Sequence, residues 1–408
     1  MKKIFFISYG GGHIRMLLPI IKSFIDSDKY DITVFGLTTS CSVLEQEGIS
    51  YKSFKDFVDI DEHYSNFEFI GRELVNKESL NNLVSYEETV AYHGINYIDL
   101  KVDLGAKLAE KVYQEKGRHS FYPRNFFLTL FKKLKPDLVV TTNSPRSERA
   151  AIDSAGKLGI SSICLVDLFA LQAVKWIGQK GFASKVCVLN DSVKNMFVEH
   201  GRLPEEIIVT GNPAFDELNN INHVKSGALK RCLIDAEYNN PKVILYASQV
   251  EPPIHPFCNK LGDTELPRKI ESYLRKLVEI EDNYHLIVRY HPSENIEFVN
   301  GKNVSHSPTS ENLYDILHSC DLVIVTASTV GLQANLIGKK VISVDSSIFT
   351  DDAPFSKMGI SQGVESIFDL EKSISQLLNE SDEINKPRKQ RLAKDKIISV
   401  IIELLKGH

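Results

Sequence analysis

Short apolar runs alternate with helix-like segments along most of the chain. Residues 4–8 form the first run, Gly10-Gly11-Gly12 follows, and residues 31–35 form the second run. Between these runs, one helix face is indicated by apolar residues spaced three or four positions apart: Ile14, Leu17, Leu18, Ile21 and Ile25. The chain therefore opens with strand, glycine turn, helix and strand, which is a βαβ unit of the doubly wound class.

The same alternation continues in both halves of the chain. Further strands are predicted from apolar runs at residues 137–142, 162–166, 185–189, 207–210, 243–247, 286–289, 322–325 and 340–344. A polar stretch at residues 219–240 separates the halves, whereas the pattern of residues 50–125 places no element. We predict an α/β chain of two Rossmann-like doubly wound domains, residues 1–220 and 221–385, that face each other across a cleft. An amphipathic helix within residues 386–408 is expected to pack back on the first domain.

Composition narrows the class of protein. A chain of 408 residues fits two cores better than one, because single cores stop growing at about 250–300 residues. The net charge of −5 argues against a nucleic-acid partner. The six cysteines include no Cys-x-x-Cys pair, which indicates reduced thiols. No apolar run has the length of a signal segment or a membrane span, so we expect a cytoplasmic protein.

One segment leaves a membrane contact open. Residues 124–135 form a predicted helix that joins aromatic side chains to a basic end. Packed core helices have this pattern, and so do interfacial helices that dock on anionic lipid. Peripheral contact with the inner face of a membrane therefore remains an alternative to core packing.

Polar clusters follow two predicted strands of the second half. His291-Pro292 comes after residues 286–289, and Ser328-Thr329 comes after residues 322–325, at the start of a helix that includes Gln333. In open α/β sheets, ligands bind beyond the carboxyl ends of the strands. An imidazole, two hydroxyls and the positive end of a helix suit a phosphate, so these residues predict a site for a phosphorylated ligand such as a nucleotide.

The first half offers a candidate base. Gly11 and Gly12 let a ligand approach the backbone closely, and His13 lies at the start of the helix. The segment lacks the Gly-x-Gly-x-x-Gly spacing of a dehydrogenase. His13 is either a capping or packed histidine or a general base. Asp167 follows the strand at residues 162–166 and either caps a helix, orients His13 or meets a substrate.

Gly12-His13-Ile14 with Leu18-Pro19 resembles the N-terminal motif of GT-B glycosyltransferases, including natural-product UDP-glycosyltransferases and the N-acetylglucosaminyltransferase of peptidoglycan synthesis. In the natural-product enzymes the motif histidine deprotonates the acceptor. The resemblance therefore implies that role for His13.

Residues 325–342, which contain Ser328-Thr329-Val330-Gly331-Leu332, resemble a segment of capsule-polysaccharide enzymes related to bacterial Kdo transferases. Tyr290-His291-Pro292 is similar to a motif that those enzymes share with bacterial sialyltransferases. This resemblance implies that His291 contacts the nucleotide or its phosphate and that Ser328 and Thr329 contact phosphates. Gln333 departs from the ribose-binding glutamate of many GT-B enzymes, which leaves the donor's identity open.

Residues 209–216 are similar to a segment at the interdomain hinge of UDP-GlcNAc 2-epimerases and several GT-B transferases, which implies that Asn212 reaches the ligand. A plain turn is the alternative, because the sequence Gly-Asn-Pro favours a turn in any protein. Ser248 and Gln249 follow the strand at residues 243–247, and the corresponding turn of GT-B transferases places small polar groups on donor phosphates.

Together these resemblances imply a glycosyltransferase that moves a sugar from a CMP-, CDP- or UDP-linked donor to a hydroxyl of a surface glycan or lipid-linked glycan. The first domain would bind the acceptor and the second the donor. Inversion is expected with His13 as base, and neither a metal nor a cofactor is required. The alternatives are an epimerase or hydrolase that resembles UDP-GlcNAc 2-epimerases, and a non-catalytic nucleotide-sugar-binding subunit.

Overall fold

The computed structural model describes residues 1–25, 27–75, 84–256, 258–380 and 391–407. The chain forms two compact units. Met1–Ala214 and Arg391–His408 make the first unit, and Phe215–Gln390 makes the second. The first unit thus ends before residue 220, where the sequence pattern placed the boundary, and residues 215–220 belong to the second unit.

A parallel sheet forms the centre of the first unit. Its strands in the described part of the chain are β1 (Lys2–Ser8), β2 (Tyr30–Gly36), β3 (Leu138–Thr141), β4 (Ser161–Leu165), β5 (Lys185–Val188) and β6 (Ile207–Val209). They lie in the order β2-β1-β3-β4-β5-β6, and each pairing is parallel.

Helices cover both faces of this sheet. They are α1 (Gly11–Ile25), α2 (Thr39–Gln46), α3 (Phe67–Leu74), α4 (Tyr86–Leu104), α5 (Ala106–Lys116), α6 (Arg124–Leu134), α7 (Ser147–Lys157), α8 (Val174–Ile177) and α9 (Asp191–Glu199). Side chains of β1 alternate between the two faces, with Ile4 and Phe6 in one core and Phe5 and Ile7 in the other. A strand buried on both faces explains why β1 is an unbroken apolar run.

The second unit repeats the architecture. Its described strands are β7 (Lys242–Ala247), β8 (Tyr284–Arg289), β9 (Val304–His306), β10 (Leu322–Val325), β11 (Lys340–Val344) and β12 (Gln362–Val364). They lie in the order β12-β11-β10-β7-β8-β9, again with parallel pairings. The helices are α10 (Ile221–Tyr238), α11 (Leu266–Ile280), α12 (Leu313–Ser319), α13 (Thr329–Leu336) and α14 (Leu370–Asn379).

The last helix, α15 (Ala393–Lys406), belongs to the first unit although it follows the second along the chain. Ile397, Ile401 and Leu405 are buried in the same core as Ile14 and Leu17 of α1. The amphipathic pattern of this segment is therefore the pattern of a core-packing helix.

The aromatic residues of α6 lie inside the first unit. Phe126, Phe127 and Phe131 are almost fully buried, and Phe126 contacts Phe54 edge-on with ring centroids 4.8 Å apart. Their burial favours core packing over lipid contact as the reason for this helix's composition. No helix in the described ranges combines the length and apolarity needed to cross a membrane.

Candidate functional site

The sheet order of the first unit creates a crevice between β1 and β3. From β1 the chain runs to β2 on one side, whereas β3 is followed by β4, β5 and β6 on the other. Ligands of open α/β sheets bind at such a reversal, outside the carboxyl ends of the strands. The turn before α1 and residues 142–148 lie at this point of the fold.

Three side chains join across the reversal. Nδ1 of His13 is 2.5 Å from the hydroxyl oxygen of Thr142, and that hydroxyl is 2.5 Å from Oε2 of Glu148. Glu148 is fully buried and also accepts the backbone N–H groups of Ser144, at 2.8 Å, and Tyr9, at 2.8 Å. Glu148 lies in the first turn of α7, where the positive end of the helix dipole favours a negative charge.

These contacts determine which nitrogen of His13 carries a proton. An ionised carboxylate only accepts hydrogen bonds, so the hydroxyl of Thr142 donates to Glu148. The same oxygen can then accept from Nδ1–H of His13. Nε2 is left with a lone pair, which is the arrangement a general base requires.

Asp167 lies near His13, at the end of β4. Burial raises the pKa of its carboxyl, and the proximity of His13 opposes that rise. Its backbone N–H donates to Oδ1 of Asn143 at 2.9 Å, and the amide of Asn212 donates to its Oδ1 at 3.4 Å. The structure thus brings the predicted residues Asp167 and Asn212 together near His13.

The loop after Asp167 has an uncommon backbone. Leu168 has a φ of 47° and Ala170 a φ of 48°, in the left-handed region that favours glycine. Phe169 between them is buried. Such strain persists only where surrounding structure fixes it, and it concentrates at functional sites.

Gly11 and Gly12 occupy the first turn of α1. The N–H of Gly11 donates to the hydroxyl oxygen of Thr39 at 3.0 Å. A Cβ added at Gly12 would meet no atom within 4 Å, so the absent side chain leaves open space at this helix end. The predicted close approach of a ligand to this backbone is sterically allowed.

The second unit has the same reversal, between β7 and β10. From β7 the chain proceeds to β8 and β9 on one side, and from β10 to β11 and β12 on the other. The hydroxyl of Thr326 donates to Oε1 of Gln249 at 3.3 Å across this reversal. The predicted residues after β7, β8 and β10 therefore belong to three adjacent strand ends.

Ser248 is part of a buried ionic network. Its hydroxyl accepts from Nη2 of Arg268 at 2.7 Å and donates to Oε1 of Glu294 at 3.0 Å. Arg268 also donates to Glu294 at 2.8 Å and lies over the ring of Tyr290, 4.9 Å from its centroid. Ser248, predicted to contact phosphate, is thus already engaged on both sides by protein groups.

His291 is exposed and has the opposite tautomer to His13. Its Nδ1 accepts the N–H of Ser293 at 3.2 Å and lies 2.6 Å from the Ser293 hydroxyl. Because Nδ1 must offer a lone pair to that N–H, the neutral ring carries its proton on Nε2. Glu294 fixes the loop by accepting the N–H of His291 at 2.7 Å, while Pro292 is exposed beside it. His291 therefore presents an N–H donor.

Ser328 is the N-cap of α13, and its hydroxyl oxygen accepts the N–H of Val330 at 3.4 Å. Thr329 is exposed in the first turn. One turn further on, the side-chain oxygen of Gln333 is buried and has no hydrogen-bond partner within the described residues. A buried acceptor without a donor costs about 1–3 kcal/mol, which a ligand's hydroxyl would relieve.

Comparison with known proteins identifies the fold. No protein-family model matches the chain, and no curated protein matches it by sequence. Its structure is similar to UDP-GlcNAc 2-epimerase from Methanocaldococcus jannaschii, with 13% identity and a TM-score of 0.56 over 98% of this chain and 99% of that chain. UDP-GlcNAc 2-epimerase from Neisseria meningitidis bound to UDP-GlcNAc has 13% identity and a TM-score of 0.59 over all of both chains. MurG from Acinetobacter baumannii has 14% identity and a TM-score of 0.54 over 99% of this chain and 100% of that chain.

The chain has a GT-B-type fold. Two parallel sheets with helices on their faces match the two Rossmann-like domains of these neighbours, as the sequence predicted. Identities of 13–14% show the fold alone. The resemblance to Kdo-transferase-related enzymes and the roles of individual residues stay predictions.

Sequence reasoning missed Thr142, Glu148, Arg268 and Glu294. A signal existed for Thr142, because residues 141–144 are a polar run directly after an apolar strand. Glu148 has no such signal, since an acidic residue in the first turn of a helix is common. No group of three or more His, Cys, Asp or Glu side chains in the described ranges is arranged to hold a metal ion.

Proposed function

We propose that this chain is an enzyme that acts on a nucleotide-linked sugar, with the second unit binding the nucleotide and the first unit supplying the base. The observation that carries the proposal is the chain of hydrogen bonds from His13 through Thr142 to Glu148, which leaves Nε2 free to accept a proton. In the second unit, the N–H of His291 and the start of α13 are donors suited to a diphosphate.

Glycosyl transfer to a hydroxyl is the first of two candidate reactions for such a base, and the structural neighbours favour the second, epimerisation, at least as strongly. The acceptor oxygen forms a bond to the anomeric carbon while the bond from that carbon to the diphosphate oxygen breaks. The hydroxyl proton passes to Nε2 of His13, and the nucleoside diphosphate leaves with the electron pair. A single displacement inverts the anomeric carbon. We propose that N–H and O–H donors rather than a metal neutralise the leaving group, an electrostatic contribution that is usually large.

Epimerisation is a second candidate, and a specific observation favours it. Full-length similarity extends to UDP-GlcNAc 2-epimerases from several organisms, two of them in structures bound to UDP-GlcNAc. A base would then remove a proton from C2 of the sugar, the carbon whose configuration changes, rather than from an acceptor hydroxyl. Asp167, whose pKa is raised by burial, could supply an acid beside that base.

Incubation with UDP-GlcNAc, with and without hydroxyl acceptors, tests both candidates. Transfer predicts UDP release that depends on an acceptor and an inverted product in the NMR spectrum. His13→Asn should reduce the rate by roughly 10²-fold or more, the size of a general-base contribution. His200→Asn is the matched control, because His200 is an exposed histidine of the same unit bonded only to a backbone oxygen.

Formation of the 2-epimer without any acceptor would support epimerisation instead. Neither UDP release nor epimer from a panel of UDP-, CMP- and CDP-sugars would contradict the proposal that the chain is such an enzyme. A wild-type rate in His13→Asn would contradict the role of His13.

A further inference from the structure

A separate cavity of about 250 Å³ lies in the first unit, next to the start of α1. Its walls include Tyr9 and Thr39, which also contact the His13 site. The N–H of Tyr9 donates to Glu148, and the hydroxyl oxygen of Thr39 accepts the N–H of Gly11. The cavity is smaller than the roughly 300–1,000 Å³ typical of sites for drug-sized ligands, so a single ring suits it better than a nucleotide.

Two arginines give the cavity a positive side. Arg118 is exposed and Arg146 is half-buried, and neither has a carboxylate partner within the described ranges. Arg146 lies over the ring of Tyr9, 4.9 Å from its centroid, and its buried Nε has no hydrogen-bond partner in the described part of the chain. Guanidinium groups in this state are suited to a carboxylate or phosphate, which they can bind through two N–H groups.

Glu88 contributes a buried polar group that points to a ligand. It is only 3% exposed, and neither of its carboxyl oxygens has a hydrogen-bond partner among the described residues. The hydroxyl of Ser53 is 3.3 Å from Asp56 and also lies close enough to Glu88 to oppose the rise in the pKa of its carboxyl. The hydroxyl of Tyr92, in the same wall, is also buried, close to Tyr9. Unpaired buried polar atoms are costly and rare, so an occupant that bonds to them is expected.

We propose that this cavity binds the ring of an acidic sugar, whose carboxylate contacts Arg118 and Arg146 and whose hydroxyl contacts Glu88. The rings of Tyr9 and Tyr92 would cover the apolar face of the sugar. The inference rests on the proposed function, because it makes this sugar the group presented beside His13. Burial raises the pKa of Glu88 to about 7, so near neutral pH its carboxyl can both donate to and accept from a hydroxyl.

The choice of a sugar acid over a simple anion follows from the position of Glu88. A phosphate held by the arginines can bond to Glu88 only while one of the two groups keeps a proton, and it would lie near a carboxyl that ionises at neutral pH. A sugar acid can bond to the arginines through its carboxylate and to Glu88 through a hydroxyl. Removal of the carboxyl should therefore weaken the binding of uronate but not that of phosphate.

Calorimetric titration of the full chain with D-glucuronate, D-glucose and inorganic phosphate tests this. Glucuronate should bind more tightly than glucose. Arg118→Gln should weaken glucuronate about tenfold or more, the loss typical of a hydrogen bond to a charged group. Glu88→Met should weaken glucuronate but not phosphate, whereas Glu88→Gln, which keeps donor and acceptor, should retain most of the affinity. Arg72→Gln, an exposed arginine paired with Glu68, is the matched control.

UDP titration of the same variants separates this inference from the proposed function. Unchanged UDP affinity in Arg118→Gln and Glu88→Met shows that the second unit is intact, and a cooperative thermal transition like that of the wild type shows that the first unit is folded. UDP binding without glucuronate binding, equal affinity for glucose and glucuronate, or phosphate binding without glucuronate binding would each overturn the sugar-acid site while the proposed function stands. Glucuronate binding without UDP binding would support the cavity and contradict the proposed nucleotide site.

Discussion

His13 and His291 each follow a parallel strand of their own unit's sheet, yet their neighbours select opposite tautomers. Thr142 and Glu148 require a proton on Nδ1 of His13, which leaves Nε2 as an acceptor. The N–H of Ser293 requires a lone pair on Nδ1 of His291, which leaves Nε2–H as a donor. A base needs the first arrangement and an anion contact needs the second.

Thr142→Val removes the hydroxyl between His13 and Glu148 while keeping the side chain's shape. We expect kcat to fall about 10- to 100-fold, a part of the roughly 10²- to 10⁴-fold that a general base contributes. KM for the nucleotide sugar should change little, because Thr142 belongs to the first unit. Steady-state kinetics beside Thr142→Ser, which keeps the hydroxyl, measure this. A valine variant with wild-type kcat would show that the hydrogen-bonded chain has no role in turnover.

Glu88 gives the stability a predictable dependence on pH. Burial raises its pKa from 4.5 to about 7, so between these values the folded state binds more protons than the unfolded state. Its contribution is therefore most favourable below about pH 4.5 and is lost as pH rises through 7. Glu88→Gln should remove that loss, worth a few kcal/mol at most. Melting temperatures measured from pH 5 to 8 should show the wild type falling relative to the variant; parallel curves would contradict this.

The sequence could predict His13 and His291 but not the groups that orient them. Both histidines follow an apolar run at a turn, which places them at strand ends from local pattern alone. The importance of Glu148 and Glu294 lies in the residues to which they are hydrogen-bonded. Glu148, for example, accepts the N–H of Tyr9, which is 139 residues away along the chain. Local sequence gives no information on a partner at that separation.

At the scale of elements, the strands were predictable because parallel strands buried on both faces are continuous apolar runs. The helices between residues 50 and 125 were not. From Glu88 to Leu100 every residue of α4 is buried, so the segment has no polar face to mark a helical period. The close contact of α3 with α4 depends on Gly71 and Gly94, each lying against backbone of the other helix.

Gly94→Ala tests that contact. A Cβ at Gly94 would overlap the carbonyl group of Phe67, and α3 and α4 must separate to admit it. We expect a loss of about 1–3 kcal/mol in the free energy of unfolding, the usual cost of overpacking. Gly156→Ala in α7 is the matched control, since a Cβ there meets nothing within 4 Å. It should stabilise by about 0.5–1 kcal/mol through helix propensity. Urea unfolding of both variants measures the difference; equal stabilities would refute the close packing.

At the scale of the whole molecule, each unit places its candidate residues at the reversal of its own sheet. His13 and Thr142 flank the first reversal, and Gln249 and Thr326 flank the second. Fold class was readable from the alternation of strands and helices. The return of α15 to the first unit also follows from a pattern, because Ile397, Ile401 and Leu405 mark one helix face. The sugar and the acceptor leave no such pattern, since they are recognised by side chains from separate elements.

The central proposal is that the second unit binds the nucleotide and the first unit supplies the base. Calorimetric titration of UDP into the wild type, His291→Ala and His13→Asn tests it most directly. We predict that UDP binds the wild type and that His291→Ala weakens binding about 10- to 100-fold, the loss of a hydrogen bond to a charged group. His13→Asn should bind UDP as the wild type does, although it no longer turns over a nucleotide sugar. Failure of the wild type to bind UDP, CMP or CDP, or UDP affinity that is lost with His13 and kept without His291, would contradict the account.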